Sequence, residues 1–284
     1  MPEILASVLD GLLIGLVYGL AAIGLTLIFG VMDVVNLAHG AIIALGMFAV
    51  YLLFGAGLHP YLGLFVVALL GLAFGVVVYL IAVRPILNAP PLMTLLSTFS
   101  VSMIIIGVGT AVWSTSPYNV NFPVTTLKIL GYTVTSARLV AALAAVLVTG
   151  FLYYFLYRTT LGKAVRAVAN NREAAELMGI PSQQILAISF GIGTALAMLS
   201  GALIATLFPF TILSGGVYEL KSFVASVLGG LGNPTGALLG GVILGLIEGS
   251  VAPFIKISWT NVIEFAIFVL ILLTFPTGLF GGRR

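Results

Sequence analysis

Ten residues, Val31-Met32-Asp33-Val34-Val35-Asn36-Leu37-Ala38-His39-Gly40, separate two long apolar runs by only a few polar side chains. Such a break is either a tight loop at a membrane surface or an unwound stretch inside the protein, which is tolerated where backbone lines a cavity. In the second case Asn36 followed by Gly40 places a half-helix N-terminus toward the interior. Its free N–H groups and positive dipole end could then receive a carboxylate. Leu231-Gly232-Asn233-Pro234-Thr235-Gly236-Ala237 leads into an apolar run in the same manner, an Asn preceding Gly-Ala by a few residues. Paired interruptions of this kind point to a transport path, so Asn36, His39, Gly40, Asn233 and Gly236 are candidate pathway residues.

Other groups offer less chemistry. His39 has no Asp, Glu or Cys at ligand spacing, so a hydrogen-bonding role outweighs a metal or proton-relay role, and no metal site is expected. Glu248 and Glu264 fall in or near apolar runs, where an unpaired charge is expensive, and Lys221 and Lys256 are candidate partners for a structural salt bridge. Gly162-Lys163 lacks the upstream Gly of a phosphate-binding loop, so no nucleotide or other cofactor is expected on this chain. Cysteine is absent, which excludes disulfides and thiolate chemistry.

The elements that must hold these residues are set by composition. The 284 residues are 61% hydrophobic and 7% charged, with mean hydropathy +1.26; lipid must solvate most of the exterior. We expect one membrane domain over residues 1–284, with no soluble catalytic domain and hence no enzyme activity of its own. The net charge of +3 comes from 11 scattered Lys and Arg, which form no nucleic-acid patch. Met1 to Ser7 carry no basic residue, so no cleaved leader is expected.

Runs of about 20 apolar residues fall at 8–30, 38–54, 61–83, 92–113, 139–157, 184–208, 236–254 and 260–279, with a shorter Gly-rich run at 217–231 that reads as partial or re-entrant. The predicted class is an all-α, polytopic transmembrane helix bundle of eight or nine segments, with broken or re-entrant helices. Arg158, Lys163, Arg166 and Arg172 mark a cytoplasmic loop. Counting from it places Arg84 inside, residues 114–137 and the N-terminus outside, and, with nine passes, Arg283 and Arg284 inside. Residues 114–137 read as an extended segment or short hairpin, either a lid or a plain connector. Gly11, Gly15 and Gly19 are spaced for close helix packing.

The loop at about 158–183 is charged, favours helix and ends in Gly179-Ile180-Pro181. Small apolar positions at Ala164, Ala167, Val168, Ala175 and Met178 among its charges suit docking on a soluble partner.

Three stretches resemble the integral membrane permeases of bacterial ABC importers for branched-chain amino acids. They are Tyr18 to Gly30 running into Asn36-Leu-Ala-His-Gly40, Gly162-Lys-Ala-Val-Arg-Ala167 through Asn171 to Ile180, and Ser222 to Ala237. Glu173-Ala174-Ala175 followed by Gly179 matches the start of the broader importer docking pattern, whose later Leu-Pro is missing. The resemblance implies an inner-membrane, multi-pass subunit working with a second permease (a copy or a relative), two cytoplasmic ATP-binding subunits and an extracytoplasmic solute-binding protein. It assigns ATPase docking to Gly162, Arg166, Arg172, Glu173, Ala174, Ala175 and Gly179. Relatives of this shape also carry urea and short amides, and an ion-coupled secondary transporter is the rival reading.

Overall fold

The computed structural model describes residues 2–129, 132–254, 257–275 and 277–280. The chain forms α1 (Pro2–Met32), α2 (His39–Gly55), α3 (Pro60–Val78), α4 (Pro91–Trp113), a hairpin of β1 (Thr126–Ile129) and β2 (Tyr132–Thr135), α5 (Ser136–Arg158), α6 (Thr160–Asn170), α7 (Arg172–Leu177), α8 (Ser182–Ala205), α9 (Gly215–Gly229), α10 (Pro234–Val251) and α11 (Ile257–Thr274). It is an all-α polytopic bundle with one small antiparallel hairpin, Thr126 facing Thr135 and Leu127 facing Val134. Among the described residues, six helices are long and apolar enough to cross a membrane: α1, α3 with its continuation to Ile86, α4, α5, α8 and α10. α2 and the Val262–Thr274 part of α11 are shorter apolar helices. Lys256, Arg283 and Arg284 lie outside the described residues.

Small residues decide how the bundle closes. α8 is buried along nearly all its length, with Gly191, Gly193 and Gly201 among its buried residues. A Cβ on Gly24 of α1 would lie 2.6 Å from Gly193 O, and one on Gly71 of α3 would lie 2.8 Å from Ala195 Cα. Backbones at such a separation gain dispersion contacts that lipid cannot supply, which is what drives helix association in a bilayer. The Gly11, Gly15, Gly19 series does the same against α10. A Cβ at Gly11 would lie 2.8 Å from Gly249 Cα, one at Gly15 2.9 Å from Gly241 O, and one at Gly19 2.9 Å from Leu238 O. The glycine spacing thus serves the close packing expected of it, and the pairing runs antiparallel.

The outer surface is apolar where lipid would touch it. Phe65, Leu69 and Ile81 of the α3 segment, Ile104 and Val112 of α4, and Leu147 and Phe151 of α5 are all exposed. Asp10 of α1 pairs with Arg138 of α5, so the starts of these two helices share one side with the hairpin. There Tyr118 and Phe210 exchange backbone hydrogen bonds of 2.8 and 3.0 Å, and Phe48 of α2 stacks on Trp113 at 4.2 Å between ring centroids. The segment after α4 therefore pairs with the α8–α9 connection and covers the C-terminal half of α2.

Candidate functional site

The first break lies inside the protein. α1 ends at Met32 and Asp33 takes φ 52°, a left-handed conformation that Asp tolerates better than most residues. The chain thus reverses, and the β-branched Val34 and Val35 continue it in an extended form. Thr98, two turns into α4, binds both sides of this stretch: Leu37 N donates to its Oγ1 at 3.2 Å and the hydroxyl lies 3.3 Å from Val35 O. A turn then forms, with Ala38 N donating to Asn36 Oδ1 at 3.1 Å and His39 N to Asn36 O at 3.2 Å.

α2 begins there, deep in the bundle. His39 Nε2 is 2.9 Å from Ala21 O, eleven positions before Met32, which is about 16 Å back along α1 at 1.5 Å per residue. Because a carbonyl only accepts, Nε2 carries the proton and Nδ1 is left with its lone pair. Asn36 is 1% and His39 0% exposed, yet Asn36 Nδ2 and His39 Nδ1 have no hydrogen-bond partner among the described residues. The N–H groups of Gly40 and Ala41 make no hydrogen bond among them either, since Ala38 at the N-cap offers no side-chain oxygen. Gly40 is a close-approach position: a Cβ there would lie 2.5 Å from Gly215 O and 2.7 Å from Glu219 Oε2. Glu219 is half-buried and makes no hydrogen bond or ion pair among the described residues.

The second break is built differently. Asn233 caps α10, its Oδ1 accepting from Gly236 N at 3.2 Å, with Pro234 at the first helical position; this is the arrangement that satisfies orphan N–H groups. Asn233 Nδ2 donates to Phe280 O at 3.0 Å. Gly236 packs directly on Gly229 O, with no room for a side chain. Gly215 and Gly229 bound α9, so Gly40 and Gly236 meet its opposite ends, about 20 Å apart. The structure therefore unites Asn36, His39 and Gly40 and leaves Asn233 and Gly236 at a separate place.

The half-buried Glu248 and the buried Glu264 of the last third do find a cation. Lys221 Nζ lies 2.6 Å from Glu248 Oε2 and 3.3 Å from Glu264 Oε1, and 4.7 Å above the Tyr18 ring. One ammonium ties α9 to α10 and α11, the structural salt bridge expected from Lys221. Among the described residues no group of three His, Asp or Glu is placed to hold a metal.

Residues 158–183 form two short helices, each capped by its own sequence. Thr159 Oγ1 accepts from Gly162 N at 3.0 Å and Asn171 Oδ1 from Ala174 N at 2.9 Å. α7 ends with Gly179 at φ 82° and bonds from Gly179 N to Glu176 O and Ile180 N to Ala175 O, a glycine C-cap of the Schellman kind. Gly162 lets α6 sit on the end of α5, its Cα facing Phe155 O and Leu156 with no space for a Cβ. Arg166 reaches back, Nε to Leu156 O at 3.1 Å and guanidinium 4.6 Å above Tyr157. Arg172 pairs with Glu176 at 3.1 Å, and Glu176 also accepts from Ser182 at 2.5 Å. That hydroxyl first, and then Arg172, hold the Glu176 carboxyl below its usual value.

Val168 and Ala175 are buried against the chain itself, and Glu173 and Ala174 are exposed. The apolar surface of this region is formed instead by Leu177, 89% exposed, and Met178, 82% exposed, with Leu161 nearby in sequence. Leu177, Leu161 and Glu219 were not singled out from sequence. A signal for Glu219 was present: a carboxylate in an apolar run with no Lys or Arg three or four positions away.

With the geometry in place, comparison with known proteins is informative. The model of the family described as branched-chain amino acid transport system / permease component matches residues 7–272. The high-affinity branched-chain amino acid transport system permease protein BraD of Pseudomonas aeruginosa is 31% identical, over 99% of this chain and 98% of its own. The corresponding LivH protein of Escherichia coli is 28% identical over 98% and 95%. A probable branched-chain amino acid transport permease protein of Methanocaldococcus jannaschii is 30% identical over 92% and 88%. No solved structure matches the chain. Apolar spans and the near full-length match agree, and the chain is a multi-pass integral membrane protein that belongs to the branched-chain amino acid transport permease family.

Proposed function

We propose that this chain is the permease subunit of an ATP-driven importer that carries leucine, isoleucine and valine across the inner membrane. It works with a second permease, two cytoplasmic ATP-binding subunits that hydrolyse the nucleotide, and an extracytoplasmic solute-binding protein. The observation that carries this reading is the capped α6–α7 pair. It projects Leu177 and Met178 almost fully exposed from the charged loop of a lipid-facing bundle; a carrier driven by an ion gradient needs no such docking surface. Glu173, Ala174 and Gly179 rim the patch, while Gly162 and Arg166 fix α6 to the end of α5, Arg172 pairs with Glu176 within α7 and Ala175 is buried beneath it.

In this reading 1–284 is one domain of nine segments, α1 to α5 and α8 to α11. The basic loop and the C-terminus lie inside, and the N-terminus and hairpin outside. The substrate path passes the start of α2 at Asn36, His39 and Gly40, while Asn233 and Gly236 form the capped inner foot of α10. Closure of the ATP-binding pair pushes α6 and α7. Because Arg166 and Gly162 lock α6 to the end of α5, the push is transmitted into the bundle.

The test is uptake of labelled leucine into vesicles holding the whole complex, with ATP inside, binding protein outside and ion gradients collapsed by ionophores. Uptake that requires both ATP and the binding protein is expected. Binding-protein-dependent ATP hydrolysis without leucine uptake would redirect the substrate to urea or short amides, and uptake driven by an ion gradient alone would overturn the reading.

A further inference from the structure

The start of α2 sets two opposite characters side by side. On one side are donors without acceptors: the N–H groups of Gly40 and Ala41 and the amide Nδ2 of Asn36. The Asn36 side chain cannot swing away to find a partner, because its Oδ1 is held by Ala38 N at 3.1 Å, and with 1% exposure it finds no bulk water. Such donors, at the positive end of a 17-residue helix, are arranged for an anion. On the other side stands a carboxylate without a cation: Glu219 Oε2 lies 2.7 Å from where a Gly40 Cβ would be, and no Lys or Arg pairs with it among the described residues. The nearest basic residue in sequence, Lys221, is already committed to Glu248 and Glu264.

A simple anion would be repelled by Glu219, and a simple cation by the helix end and the Asn36 amide. Only a ligand carrying both signs on neighbouring atoms satisfies the two halves at once. We infer that this is a zwitterion subsite on the transport path, in which the first turn of α2 and Asn36 Nδ2 bind the substrate carboxylate and Glu219 binds its α-ammonium. The assignment rests on the transport reading above and sharpens it, since urea, neutral amides and sugars lack both charges. Gly40 is what brings the halves together: Glu219 and Gly215 pack directly on it, and any side chain there would push α9 and its carboxylate away from the helix end.

The experiment uses the intact complex in vesicles with the native binding protein, so that solute capture outside is unchanged, and reads labelled leucine uptake and ATP hydrolysis separately. Glu219→Gln should lower leucine moved per ATP hydrolysed by about tenfold or more, the size expected for losing a hydrogen bond between charged partners. Glu219→Asp, which keeps the charge, should restore most of it. Asn36→Asp retains the shape and the bond to Ala38 N but places a negative charge where the carboxylate sits, and should cause a loss of at least the same size. It also serves as the independent test if Glu219→Gln does not assemble. Leucine moved per ATP within about twofold of the wild type in either assembled variant overturns the subsite. So does loss of ATP hydrolysis in step with uptake, which would put Glu219 in the coupling machinery. Absence of ATP-dependent uptake in the wild-type complex would instead defeat the importer reading itself.

Discussion

Two helices of this protein begin after an Asn that precedes Gly-Ala, and they end up in opposite physical states. At α10 the Asn233 carboxamide caps the helix with one end and holds Phe280 O with the other, Pro234 removes a donor, and Thr235, whose N–H makes no hydrogen bond among the described residues, is exposed. At α2 the Asn36 oxygen is used on Ala38 N, two residues before Gly40, and the amide nitrogen, the Gly40 N–H and the Ala41 N–H are left over in a buried place. Leaving a buried donor unmade costs about 1 to 3 kcal/mol each. That the fold leaves buried donors unmade at one helix start and not at the other, with the same residue types, is what supports the ligand position proposed for the first. The lesson concerns motifs: the same short pattern marks a finished structural joint or an open binding position according to which atoms the rest of the chain brings to it.

The contrast can be broken by experiment. Asn36→Ala should lower ATP-dependent leucine uptake by about tenfold or more, because a charged-partner hydrogen bond is lost and Ala38 N is orphaned; normal uptake would dissolve the distinction. Gly40→Ala has backbone and Glu219 in its way at 2.5 Å. It should destabilise the purified complex by about 1 to 3 kcal/mol in thermal unfolding, the usual cost of overpacking, and abolish uptake in what remains folded. Asn233→Ala should cost about 1 kcal/mol of stability, the worth of an N-cap, with uptake per assembled complex within about twofold of wild type. A large selective transport defect there would place both helix starts on the path.

A third helix start, that of α8, sharpens the contrast, because there a carboxylate is already satisfied: Glu176 accepts from Ser182 and pairs with Arg172. Its folded-state carboxyl is held below the ordinary value, so the stabilisation is present above the unfolded pKa and fades as pH falls through the lowered one. Ser182→Ala, removing the leading cause, should move the midpoint of the Glu176 titration upward, read by carboxyl NMR in the assembled complex. An unchanged midpoint would mean the hydroxyl bond does not form in solution.

Much of this was legible in the sequence. Hydropathy located α4 within one residue, and the Gly179 end of the basic loop was read from its local sequence, whereas the caps at Thr159 and Asn171, equally local, were not singled out. The glycine spacing in α1 correctly implied a packing seam. What sequence left open was the depth of the first break, because depth is set by partners far along the chain: Thr98 on α4 and Ala21 on the preceding helix. The docking face was legible as a region but not as a surface. Val168 and Ala175 look available among charges, yet the fold turns them inward and leaves Leu177 and Met178 outside. Glu219 was hidden for a similar reason, since its meaning depends on Gly40, which lies 179 positions away.

The glycine seam between α1 and α10 also constrains how the protein is made. α1 leaves the ribosome well before α10. At about 5 to 20 residues per second, roughly 10 to 40 s of synthesis separate them. Through that interval the groove formed by Gly11, Gly15 and Gly19 stands open in the bilayer, presenting little but backbone. A side chain with strong affinities of its own would recruit a premature neighbour during the wait. Bare glycine attracts little until a matching bare surface, Gly241 to Gly249, arrives, so the spacing that lets the finished helices touch also keeps the unfinished chain available for its last partner.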